Sequence, residues 1–247
     1  MKVGLRISIV ICSFVVGIMG GTAWAGAAED LAMAADANGT ETSRMASFYR
    51  LVERGNTDID LVVEVSGDDT ADSRKRWVAV RVLGQVGGDR SRNQLLKLLN
   101  NDMPAMRAAA AQGLGDFGHA AGAEVSEAIE AKLLDPAIIV RAGAAEALGK
   151  LGKATSVGPL SQALSAEDSY YRGASLWVRS HYVISLGLIG DRSAIPALIR
   201  CLDDEDEKVA AAAIGAFEAI AGFQFSDGRT ESEEVQAWRR WGTAQVR

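Results

Sequence analysis

Apolar residues recur along this chain at helical spacing and in a repeating frame. Leu83, Leu114, Leu148, Leu186 and Phe217 each stand four residues after Ala79, Ala110, Ala144, Tyr182 and Ala213, so each pair shares one helix face. Val86, Phe117, Leu151, Ile189 and Ile220 extend each stripe, and Gly87, Gly118, Gly152 and Gly190 end it as residues free to take positive φ. A second helix is predicted after each first one. Its core pairs are Leu95 with Leu99, Ile129 with Leu133, Leu160 with Leu164, and Leu198 with Leu202.

The frame is tight. Arg76, Arg107, Arg141 and Arg179 are followed eight residues later by Gly84, Gly115, Gly149 and Gly187, and a fifth copy runs from Ala210 to Glu218. Successive glycine positions lie 31, 34, 38 and 31 residues apart, the period of a stack of two-helix units. Helix starts are read at two capping-box patterns, Ser91 to Gln94 and Thr230 to Glu233, and at Asp135-Pro136, a cap before a first-turn proline. Pro104, Pro159 and Pro196 also fall in or near first turns, and none of the prolines interrupts a helix interior.

These residues resemble the HEAT-like repeats associated with phycobilisome lyases: valine-arginine, alanines, leucine-glycine, then a leucine-rich second helix. Val140 to Gly149 is the nearest copy. The resemblance implies an all-α fold, a right-handed α-solenoid of HEAT-like two-helix repeats. Residues 70–222 hold the repeats and 43–69 a degenerate N-terminal unit with helical runs Ser43 to Arg54 and Asp58 to Val65. Residues 223–247 form a C-terminal cap, where Val235, Trp238 and Trp241 share a face that seals the stack. The cap looks like the closing segment of exported bacterial HEAT-like proteins. The resemblance says little about function, because the family includes scaffolds, binding modules and some enzymes.

The N-terminus reads as an address. Lys2 and Arg6 precede an apolar run over 7–19, and Ala23-Trp24-Ala25 supplies a small-x-small cleavage pattern, so residues 1–25 form a signal peptide cut after Ala25 and the chain is periplasmic or secreted. Membrane attachment is expected only if that segment stays uncleaved. Residues 26–42, small and polar, are read as a flexible leader. Cys12 leaves with the signal, which leaves Cys201 alone, in an apolar helix, as a buried thiol.

The 247 residues have 48% hydrophobic and 6% aromatic content and a net charge of -6, more negative by two charges once Lys2 and Arg6 are removed. An acidic body without a dense basic run excludes a nucleic-acid backbone as partner. Catalytic chemistry is not found. HEAT-repeat hydroxylases of the deoxyhypusine type hold iron with paired His-Glu motifs, but here His119 precedes Ala120 and His181 precedes Tyr182, so no metal or cofactor is expected. Gly-x-Ser-x-Gly, His-Glu-x-x-His and phosphate-loop patterns are also missing.

Two features remain. Arg76, Arg107, Arg141 and Arg179 recur at one helix position and are read as a structural ladder bonded to acceptors such as Asn101 and Asp135. Second, Leu164 to Val178 spans 14 residues where Leu99 to Met106, Leu133 to Val140 and Leu202 to Val209 span seven, so 165–177 carries an insertion. Insertions in stacked repeats project from one edge, and this one holds Tyr170, Tyr171, Arg172 and Trp177, residue types that dominate interface hot spots. It is the candidate site for a protein or peptide partner. Its alternative role is to cover the gap between units. The contact surface is completed by the concave second helices, with Asp58, Asp60 and Glu64, then Arg92, Asn93 and Lys97, then Glu124 and Glu127. The expected function is an exported HEAT-repeat scaffold; the alternatives are a lyase- or hydroxylase-like enzyme or a structural assembly subunit.

Overall fold

A computed structural model describes residues 26–225 and 230–246. The proposed signal segment 1–25 lies outside the described residues. The fold is all-α, with one pair of two-residue strands among the described residues. Helix α1 runs over residues 26–35, α2 over Glu41–Arg54, α3 over Ile59–Gly67, α4 over Ser73–Val86 and α5 over Gly88–Leu98. Then come α6 (Pro104–Gly115), α7 (Ala123–Glu130), α8 (Ile138–Leu151), α9 (Val157–Ser165), α10 (Val178–Ile189), α11 (Ile195–Cys201), α12 (Glu207–Ala221) and α13 (Glu231–Gln245). The chain divides into two compact units, one ending at Gln94 and one starting at Leu95, with the division inside α5.

In the first unit, residues 26–35 do not form the loose leader expected over 26–42. They are helical because Ala27, Leu31 and Ala34 make an apolar face that is buried, and Asp30 beside it meets Arg50 at 2.7 Å and Arg54 at 2.9 Å. The helical runs expected at Ser43 to Arg54 and Asp58 to Val65 fall on α2 and α3. Asp72 caps α4 by accepting from the Arg74 and Lys75 amides, both at 3.1 Å. Gly87 and Gly88, with φ of 70° and 79°, turn the chain straight into α5. So tight a link starts α5 at Gly88, and Ser91, read as its cap, is instead a buried residue one turn inside the helix.

In the second unit the first helices α6, α8, α10 and α12 pack side by side, with the shorter α7, α9 and α11 behind them. The recurring glycines are the contact points. A methyl group on Gly115 would lie 2.7 Å from the Ala147 Cα, one on Gly187 would lie 2.7 Å from the Ala216 Cα, and one on Gly149 would lie 3.1 Å from the Ser185 Cα. Each glycine thus meets the residue six positions after the arginine position of the next unit. Only a hydrogen in place of a side chain lets these backbones approach so closely. The predicted core pairs are buried, Leu95 with Leu99, Ile129 with Leu133, Leu160 with Leu164 and Leu198 with Leu202.

Pro104 and Pro196 occupy first turns as expected. Pro136 does not, because α8 begins at Ile138 and Asp135 is turned inward; its carboxylate accepts from the Ala137 amide at 2.9 Å. Thr230 and Glu233 form the predicted capping box of α13. Trp238 is fully buried, stacked on Phe217 and Phe223, while Trp241 meets the same rings edge-on, which makes α13 the aromatic seal of this unit.

Candidate functional site

The arginine column forms a ladder that joins successive units. Arg107 donates to the Asn101 and Asp102 carbonyls of the turn before its own helix and reaches across to Asp135 of the next unit, with both prongs at 2.8 Å. Burial pushes the Asp135 carboxyl up, but the bonds from Arg107 and Ala137 outweigh it and hold the pKa below the usual carboxylate range. Arg141 repeats the pattern with the Asp135 carbonyl behind it and Asp168 ahead, and Arg179 with the Leu164 carbonyl behind and Asp204 ahead at 2.7 Å. Arg76, in the first unit, is buried and pairs with Asp69 at 2.6 Å. Of the forward aspartates, Asp135 was named from the sequence as a ladder acceptor, whereas Asp168 and Asp204 are the residues that sequence reasoning missed. Asp204 was legible, because it stands six residues before Ala210 just as Asp135 stands six before Arg141.

In the 165–177 insertion that six-residue position falls on Gly173, which has no carboxylate to offer, and the ladder is completed by Asp168 instead. The insertion folds as a hairpin of β1 (Tyr170–Tyr171) and β2 (Ala174–Ser175), with Tyr170 opposite Ser175 and Tyr171 opposite Ala174. Arg172 and Gly173 form its two-residue turn with φ of 53° and 83°, the left-handed pair that fits the twist of a tight hairpin. Ser169 anchors the base by donating to the Ala163 carbonyl at 2.8 Å.

The four candidate contact residues are not gathered into one patch. The Tyr170 ring lies under the Arg179 guanidinium at 4.4 Å, so it belongs to the ladder, although 37% of the residue stays exposed. Tyr171 and Arg172 stay together at the hairpin tip, the guanidinium 5.3 Å from the ring centre and the tyrosine 62% exposed. Trp177 stands at the start of α10, where it meets His181 edge-on at 5.2 Å. Tyr182, in the column otherwise held by alanine, is fully buried, and burial raises its phenol pKa.

The second-helix faces need one correction. Asp58 is buried at the start of α3 and pairs with Arg54, so it offers nothing to a partner. Asp60 pairs with Arg90. Glu124 and Glu127 of α7 are exposed. Cys201 is buried, and burial pushes its thiol up to about 11, which keeps it protonated and inert. Among the described residues no group of three or more His, Cys, Asp or Glu side chains is placed to hold a metal ion, and no helix is long and apolar enough to cross a membrane.

Comparison with known proteins agrees with this architecture. The family described as HEAT repeats matches residues 59–131 and 172–227, and that described as PBS lyase HEAT-like repeat matches residues 140–166. A phycocyanobilin lyase subunit alpha from Picosynechococcus sp. is 46% identical over 59 residues, which is 24% of this chain and 19% of that protein. The match therefore spans about a fifth of the relative's length. Among solved structures, the archaeal HEAT-like repeats protein from Thermococcus onnurineus NA1 superposes with a TM-score of 0.53 at 11% identity, covering 90% of this chain and 98% of that one. The complex of CpcE and CpcF of phycocyanin lyase from Nostoc sp. gives a TM-score of 0.37 at 18% identity, covering 86% of this chain and 92% of that one. With the repeats matched over more than half of its length, and with the arginine ladder and helix-contact glycines that stack them, this chain belongs to the HEAT repeat family.

Proposed function

We propose that this protein is an exported scaffold that binds a protein or peptide partner through the insertion hairpin, with the exposed second-helix carboxylates Glu124 and Glu127 as a polar flank. The observation behind this reading is the hairpin tip. Tyr171 and Arg172 are held outward on a tight turn whose base is fixed by Ser169 and by Tyr170 under Arg179. An aromatic and an arginine on a rigid support cost little side-chain entropy when a partner covers them. Export rests on Lys2, Arg6, the apolar run 7–19 and the Ala23-Trp24-Ala25 pattern.

A photo-crosslinking side chain placed at position 171 in cells tests the reading. A discrete protein adduct is expected from position 171, lost when Arg172 is also changed to alanine, and absent from a control position at Arg192. N-terminal sequencing of the envelope fraction should begin at Gly26. No adduct from position 171, or the same adducts from the control, would remove the hairpin as a contact site. The short stretch shared with a lyase subunit favours a second reading, an accessory of a tetrapyrrole lyase, which visible absorbance of the purified protein after incubation with phycocyanobilin would reveal.

A further inference from the structure

The outer face of the first helices changes character along the second unit. Between α6 and α8 it is polar and cross-linked: Gln112 donates to Glu146 at 3.0 Å, and Lys150 bridges Asp116 at 3.0 Å and Glu146 at 3.1 Å. At the same two positions α10 carries Ile184 and Leu188, which are 49% and 60% exposed, and α12 carries Gly215 and Ala219. Ile184, Leu188, Ala212, Gly215 and Ala219 line an apolar groove of about 220 Å³. Trp177, His181, Ile184 and Leu188 fall at i, i+4, i+7 and i+11, one continuous face of α10.

Gly215 is the odd member of this face. The other helical glycines at first-helix contacts, Gly115, Gly143, Gly149 and Gly187, press against a neighbouring helix, but a methyl group on Gly215 would meet nothing within 4 Å. A glycine in a helix interior costs about 1 kcal/mol relative to alanine. Among the described residues no contact offsets that cost at Gly215.

We infer that this groove is the contact between two copies of the chain, related by a two-fold axis that lays α12 of one copy antiparallel in the α10–α12 groove of the other. The surface has both halves of such a contact: protruding Ile184 and Leu188 beside a floor of Ala212, Gly215 and Ala219 that lets a second backbone come close. A two-fold contact needs a patch that fits itself. Antiparallel pairing that sets Ala211 against Gly215 of the second copy also brings Lys208 at one end of α12 toward Glu218 at the other, twice by symmetry. Two helices of 12 and 15 residues give a contact of roughly 20 Å by 20 Å. That lies well below the about 800 Å² per partner of a tight complex, so the dimer forms at micromolar concentration.

Sedimentation of the full chain over a micromolar concentration series tests this. The parent is expected to shift from monomer to dimer, and Leu188→Glu and Gly215→Leu are expected to stay monomeric without loss of melting temperature, Gly215→Leu melting slightly higher because it removes a helical glycine. Both changes are at exposed positions, so they separate this face from any association through residues 7–19. Lys208→Glu should weaken the dimer roughly ten-fold, and adding Glu218→Lys should restore it. A parent that stays monomeric, a dimer indifferent to Leu188→Glu and Gly215→Leu, or growth beyond the dimer would overturn the proposal. A charge swap without rescue would overturn the antiparallel register.

Discussion

Arg107 of one repeat holds Asp135 of the next with two parallel bonds of 2.8 Å while its remaining nitrogen caps the turn behind it. One side chain therefore fastens three pieces of chain, and both its partner and its own head are largely buried. Removing either end leaves a buried charge without its counter-ion. Asp135→Ala is expected to cost about 3 kcal/mol, and Arg107→Lys, which keeps the charge but loses the fork, somewhat less; urea unfolding measures both.

The same pair sets an acid limit. Asp135 in the folded protein has a pKa below its unfolded value of about 3.9. Its contribution is therefore complete above the unfolded pKa and disappears as pH falls through the folded one. Melting temperature against pH should fall more steeply below about pH 4 in the parent than in Asp135→Asn. Parallel curves would show that the pair does not govern the acid limb.

Gly115 and Gly187 should tolerate no side chain. A methyl at either site would sit 2.7 Å from the backbone of the facing helix, so alanine must push α6 from α8 or α10 from α12. Gly115→Ala and Gly187→Ala are expected to lose about 1 to 3 kcal/mol, against the small gain that glycine to alanine gives in an unobstructed helix. Thermal melts that rise would refute the close-approach account.

Adjacent tyrosines should behave differently. Tyr170→Ala removes a ring from beneath Arg179 and is expected to lower stability by about 1 kcal/mol or more. Tyr171→Ala, at the exposed tip, should leave the melt within about 0.5 kcal/mol of the parent. Equal effects from both would erase the distinction between ladder and tip.

Cys201 should be slow toward thiol reagents in the native protein and fast after denaturation. With its thiol raised to about 11 and its side chain buried, the thiolate fraction at pH 8 is on the order of a thousandth. Rapid modification of the folded chain at pH 8 would mean that α11 opens.

Much of this was legible because repetition makes one helix report on the next. The arginine column, the leucine pairs and the spacing of the glycines follow from a frame seen four or five times, and a coincidence seldom recurs in register. The insertion was legible as a break in that frame. Single, unrepeated features were read less well. Ser91 matched a capping pattern, but the Gly87-Gly88 turn had already started the helix. Asp135-Pro136 looked like a helix start, and its aspartate serves the arginine 28 residues earlier. The aromatic residues of the insertion looked like one patch, and the short hairpin gives neighbouring side chains different partners, Tyr170 against Arg179 and the more exposed Tyr171 beside Arg172, in keeping with strand alternation.

What the sequence determined by itself is the repeat unit: helical period, small residues at contacts, and a charged residue at each joint are all local, and local spacing is what a chain displays directly. Only the tertiary structure decided which carboxylate meets which arginine, that residues 26–35 are a packed helix, and that Ile184, Leu188 and Gly215 form one uncovered face. Each of these depends on which units are neighbours and on what remains exposed after packing. Burial and ion pairing are properties of surfaces brought together from distant parts of the chain, and no single stretch of sequence contains them.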